Sequence, residues 1–167
     1  CVCMVLSLMP GLPFAVDAAA AEPLTVTIDT GAEITLTDAD GDGYYDIGTA
    51  DELFAFAALV NIDNAVNGGI NVELNNNIDV NPGYVFNSDG TVTKDGTAVT
   101  DGWRVWTPVC DAWGVYYFGT FNGNYHTVSG LYASEDRASF IRYISNTAIV
   151  ENVGLENSYF CDSNDRA

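Results

Sequence analysis

Apolar residues in this chain come in short runs, and glycine, asparagine or aspartate interrupts nearly every one of them. Leu24 to Ile28 and Ile34 to Thr37 alternate apolar with polar, while Ile70 to Leu74 and Ile78 to Val80 are briefer. Runs of this length and period are strands bounded by turns. The exception is Thr49 to Val60. Thr49-Ala50-Asp51-Glu52 has the S/T-x-x-E form of a capping box, and Leu53, Phe56, Ala57 and Val60 then fall on one helical face. The spacing predicts one short amphipathic helix in an otherwise all-β chain.

The C-terminal third carries an internal repeat. A shift of 22 residues lays Phe118 on Phe140, Phe121 on Tyr143, Asn124 on Asn146, Val128 on Val150 and Leu131 on Val153. Apolar positions that recur at such a period with strand-like spacing are what a parallel β-solenoid needs, because each coil stacks its inward side chains on its neighbour. Pro82 to Asp101 breaks the pattern. Its Asn87-Ser88-Asp89-Gly90 and Lys94-Asp95-Gly96 strings are hairpin turn signals, so the segment reads as an insertion at about 82–101.

Charge narrows the partners. The 167 residues include 23 acidic and 5 basic groups, a formal net charge of −18. Such a surface repels phosphate backbones and anionic headgroups, which argues against nucleic acid and peripheral membrane binding. At the N-terminus, Val2 to Val16 is apolar and Ala18 to Ala21 offers the small residues of a cleavage site. Residues 1–21 read as a truncated secretory leader, 22–48 as N-terminal strands with an acidic loop, and 49–167 as the helix and the start of the solenoid. The run is too short to span a membrane, so the expected location is extracellular or on the bacterial surface. Cys110 and Cys161 remain beyond the leader, either as a bridge or as two small buried hydrophobes.

The sharpest chemical motif is Asp38-Ala39-Asp40-Gly41-Asp42-Gly43-Tyr44-Tyr45-Asp46. Carboxylates at loop positions 1, 3, 5 and 9, glycine at 6 and a backbone carbonyl at 7 reproduce the first part of a calcium loop. Asp38, Asp40, Asp42, the Tyr44 carbonyl and Asp46 are the candidate ligands of a structural Ca²⁺. Thr49 stands where a bidentate glutamate belongs, and a plain solvated hairpin is the alternative. The second candidate is aromatic: Trp103, Trp106, Trp113, Tyr116 and Tyr117 could stack on sugar rings, or could seal the core beneath the insertion. His126, the single histidine, reads as a turn residue. No catalytic residue stands out, since metalloprotease, nucleophile-elbow, P-loop and dinucleotide motifs are all missing from the sequence.

One ordered set of strings suggests a family. Tyr44-Tyr45-Asp46-Ile47 precedes the helix; Asn71-Val72-Glu73-Leu74, Ile78-Asp79-Val80, Trp106-Thr107-Pro108-Val109, Phe118-Gly119-Thr120-Phe121-Asn122-Gly123-Asn124 and His126-Thr127-Val128-Ser129-Gly130-Leu131 follow. Together, from about Tyr44 to Tyr159, they resemble the N-terminal portion of secreted bacterial proteins with GLUG-type repeats, some of them adhesin-like or associated with IgA proteases. Where those repeats begin with a glycine-rich string, this chain has Ala138-Ser139-Phe140-Ile141-Arg142.

The resemblance implies a right-handed parallel β-helix; the repeat predicts that Tyr116 to Phe160 forms its successive coils, and the single apolar stripe of the Thr49 to Val60 helix predicts that it caps an open end. The resemblance also implies a non-enzymatic cell-surface module, structural or adhesin-like, that contacts glycan or a host or surface protein. The alternative is a carbohydrate-active β-helix enzyme, a polysaccharide lyase or glycosidase.

Overall fold

The computed structural model describes residues 20–162. The expected leader therefore lies outside the described residues apart from Ala20 and Ala21.

Thr49 starts the main helix as the capping box requires. Its side chain accepts from the Glu52 amide at 3.2 Å, while Glu52 Oε2 accepts from the Gly48 amide at 2.8 Å and the Thr49 hydroxyl at 3.0 Å. Helix α1 then runs Ala50–Ile62, and a single further turn, α2, covers Asn64–Asn67. Leu53, Phe54, Ala55, Phe56, Ala57, Leu59 and Val60 are all buried. Contact on more than one side explains this. The antiparallel hairpin of β1 (Leu24–Thr27) and β2 (Glu33–Leu36) packs against α1. Elsewhere Phe54 and Trp106 meet edge-to-face at 5.1 Å, and Phe56 meets Tyr117 at 5.5 Å and Phe121 at 5.7 Å. The helix is thus a core element, with Phe56 and Val60 fully buried and burial extending beyond the one apolar stripe expected.

Around it, strands of two or three residues pair in parallel. β3 (Tyr45–Ile47), β4 (Val72–Leu74), β9 (Thr120–Asn122) and β12 (Ile149–Glu151) form one sheet, in the order β12-β9-β4-β3. A second joins β5 (Ile78–Asp79), β10 (Thr127–Ser129) and β13 (Gly154–Glu156), and a third pairs β11 (Tyr132–Ser134) with β14 (Tyr159–Cys161). Residues 82–101 contain an antiparallel sheet of β6 (Tyr84–Phe86), β7 (Val92–Lys94) and β8 (Thr97–Val99). Its turns fall on the two polar strings, with Gly90 at φ 82°, Asp95 at 50° and Gly96 at 79°.

These features correct the expected fold. Among the described residues the protein is mixed α/β, with five short sheets, two of them antiparallel, so the all-β right-handed parallel β-helix is not what forms. The 22-residue register fails as well. Val150 pairs with Phe121 and Leu155 with Val128, whereas Phe140 lies in the loop between β11 and β12 and packs on Trp106 and Phe121. Matching side-chain type laid a strand on a loop. A polar ladder lines the turns: Asn152 donates to Asn122 Oδ1 at 3.1 Å, Asn122 to Asn124 Oδ1 at 2.8 Å, and Asn124 to Glu73 Oε2 at 2.9 Å. Asn124 at φ 47° and Asn152 at 56° use the left-handed turns that asparagine tolerates.

Candidate functional site

The acidic loop lies between β2 and β3. Asp38, although only 9% exposed, keeps a carboxylate because four amides point at it: Ala21 at 2.9 Å, Gly41 at 2.7 Å, Asp42 at 3.1 Å and Gly43 at 2.9 Å. These bonds, Ala21's first, hold its carboxyl below the ordinary range. Asp40 and Asp42 are more exposed and accept from the Asp42 amide at 3.3 Å and the Tyr44 amide at 2.9 Å. One oxygen from each of Asp38, Asp40 and Asp42 lies within 4.8 Å of the others.

Asp46 does not belong to that group. Strand β3 directs it to the Ala39 amide at 2.7 Å and to Asn75 Nδ2 at 2.5 Å. A carboxylate offers about four lone-pair sites, and Asp38 spends its own on backbone donors. The loop therefore closes on its own amides, and an ion would have to compete with them.

The five aromatic candidates separate into three environments. Trp106 and Tyr117 are core residues, at 1% and 0% exposure. Trp106 Nε1 donates to the Phe140 carbonyl at 3.1 Å and the Tyr117 hydroxyl to the Ile70 carbonyl at 2.9 Å, while burial pushes the Tyr117 phenol far above its usual range. Neither can reach a sugar.

Trp103 is half-buried under the 82–101 sheet, 5.0 Å from Tyr132. Only Trp113 and Tyr116 stand in solvent, 78% and 42% exposed. Tyr143 sits between them, 5.7 Å from Trp113 and 5.8 Å from Tyr116, and its hydroxyl accepts from Arg137, whose guanidinium lies 5.6 Å over Trp113. Tyr132 and Tyr143 belong to these groupings although neither is near Trp103–Tyr117 in sequence, so no local signal pointed to them.

Two further sequence candidates are structural. His126 Nδ1 pairs with Asn77 Oδ1 at 3.1 Å in the turn before β10. Cys110 and Cys161 are both free, and burial pushes the Cys110 thiol up to about 11. Among the described residues no helix is long and apolar enough to cross a membrane.

Comparison with protein-family models, curated proteins and solved structures returns no match for this chain. The resemblance to GLUG-repeat proteins rests on the quoted strings alone.

Proposed function

We propose that this chain is a non-enzymatic extracellular or bacterial cell-surface module, structural or adhesin-like, that contacts glycan or protein through Trp113 and Tyr116. The observation that carries the reading is the exposure of these two rings, joined through Tyr143 into one aromatic face. Removing a large aromatic ring from water is favourable, and a ring left 78% exposed contributes little to folding. Its value lies in what it can cover. The leader-like start, the acidic charge and the GLUG-like strings point the same way.

Affinity electrophoresis of the full chain in gels containing soluble polysaccharides or mucin tests it. Retention is expected for at least one matrix, with about tenfold weakening in a Trp113→Ala, Tyr116→Ala double variant whose stability stays within about 0.5 kcal/mol of the parent. Equal retention of parent and variant would refute the assignment. Release of reducing ends or unsaturated products from the same polysaccharides would instead favour the carbohydrate-active enzyme.

A second reading, structural calcium at Asp38, Asp40 and Asp42, is favoured by the convergence of their oxygens within 4.8 Å. With Asp38 occupied by amides and Asp46 turned away, binding should be weak, with a dissociation constant on the order of 10⁻⁴ to 10⁻³ M. Calorimetric titration should show heat that disappears in an Asp40→Ala, Asp42→Ala variant. Identical heats from the two proteins would leave the loop as a self-closed turn.

A further inference from the structure

A groove of about 470 Å³ opens between the 82–101 sheet and strand β11, within the range of small-ligand sites. Strands β7 and β8 form one wall with Val92 and Val99, Trp103 and Tyr132 supply aromatic surface, and Thr91 and Thr100 stand on its lining. Every side chain lining it is uncharged. Even Asp89, next to the rim, is turned onto Thr91, accepting from its amide at 2.9 Å and its hydroxyl at 2.6 Å.

The aromatic surface is built before any ligand arrives. Trp103 packs against Tyr84 at 6.3 Å and Phe86 at 6.1 Å, both edge-on, and Tyr132 stacks on Tyr159 at 5.4 Å and 14°. The Tyr84 hydroxyl donates to the Gly102 carbonyl at 2.7 Å, which fixes the backbone that presents Trp103. Asn157 binds the 82–101 sheet to the body, donating to the Tyr84 carbonyl at 2.8 Å and accepting from the Phe86 amide at 3.2 Å. Rings immobilised in this way lose little entropy when a ligand covers them.

We propose that this groove is a binding subsite for a neutral pyranose saccharide. Such a ligand has apolar C–H faces that match Trp103 and Tyr132, and hydroxyls that match the side chains of Thr100 and Tyr132. It carries no charge. A uronate would meet a chain of net charge −18 with no cation in the groove to receive it. The subsite shares no residue with the Trp113–Tyr116 face and stands or falls independently of it.

The test is an amide-resolved NMR titration of the ¹⁵N-labelled full chain with cellohexaose, xylohexaose, mannohexaose and maltohexaose, and with hexagalacturonate as the charged comparator. Saturable shifts at Gly90, Thr100 and Trp103 are expected with at least one neutral hexaose and not with hexagalacturonate. Tyr132→Ala should weaken that binding about tenfold. Because Tyr132 also packs on its neighbours, Thr100→Val provides a variant that leaves the packing intact, with an expected loss of about threefold. The Trp113→Ala variant should bind unchanged. Absence of saturable shifts with every neutral hexaose, preference for hexagalacturonate, shifts confined to the Trp113 face, or full affinity in both Tyr132→Ala and Thr100→Val would each overturn the proposal.

Discussion

Trp106→Ala is expected to destabilise the protein by about 3 to 5 kcal/mol, read as a fall in the urea midpoint with little change in slope. Trp106 is among the largest fully buried side chains described, at 1% exposure, and it touches the core from two directions. Phe54 meets it edge-to-face at 5.1 Å and 81°, and Phe140 stacks at 5.5 Å and 25°. Truncation leaves a cavity between α1 and the β11–β12 loop and strands the Phe140 carbonyl, which now accepts from the indole N–H at 3.1 Å. Trp106→Phe shrinks the cavity effect, since it keeps one aromatic ring in the core while losing the N–H donor and the rest of the indole. It should cost about 1 to 2 kcal/mol. At Trp113, by contrast, alanine should change stability by less than about 0.5 kcal/mol. A Trp106→Ala protein within about 1 kcal/mol of the parent would mean that the tryptophan does not hold this core together.

That contrast shows where sequence information ends. Trp106 and Trp113 occur in similar strand-and-turn surroundings, and only tertiary contact with Phe54 and Phe140 decides which one is buried. Local features were legible. The capping box at Thr49 and Glu52 and the turns at Gly90 and Gly96 depend on neighbouring residues and on φ alone. Register was not legible. A 22-residue shift matched apolar with apolar, but the strands pair Val150 with Phe121 and Leu155 with Val128, and left-handed turns at Asn124 and Asn152 follow β9 and β12.

The helix formed where the capping box placed it, and only the width of its buried face was underestimated. Leu53 to Val60 is a continuous apolar run, and such a run signals burial on all sides rather than a single stripe. In the acidic loop the spacing of Asp38, Asp40 and Asp42 correctly placed three oxygens near one another. It could not reveal that Asp46, on β3, would be drawn to Asn75 on the chain beyond β4.

Asn81→Ala should cost about 3 kcal/mol, a large loss for one polar side chain, because the residue acts as the joint between three segments. It is 4% exposed. Its Nδ2 donates to the Arg104 carbonyl at 2.9 Å and the Gly130 carbonyl at 2.7 Å, and its Oδ1 accepts from the Arg104 amide at 2.6 Å. Alanine would leave these three backbone groups without the partner that now satisfies them, and each buried orphan costs about 1 to 3 kcal/mol when water cannot replace it. The damage should extend outward through Arg104. Its guanidinium lies 3.5 Å over the Phe54 ring and pairs with Asp29 at 2.5 Å and Asp51 at 2.7 Å, tying the β1–β2 turn and the first turn of α1 to the root of the 82–101 sheet. Asn81→Asp is the informative companion. It preserves shape and the acceptor for the Arg104 amide, but sets a carboxylate against two carbonyl oxygens, so it should destabilise at neutral pH and recover part of the loss when acid protonates it. Stability of Asn81→Ala within about 1 kcal/mol of the parent, or an Asn81→Asp protein indifferent to pH, would show that the three carbonyl and amide groups find other partners and that the joint lies elsewhere.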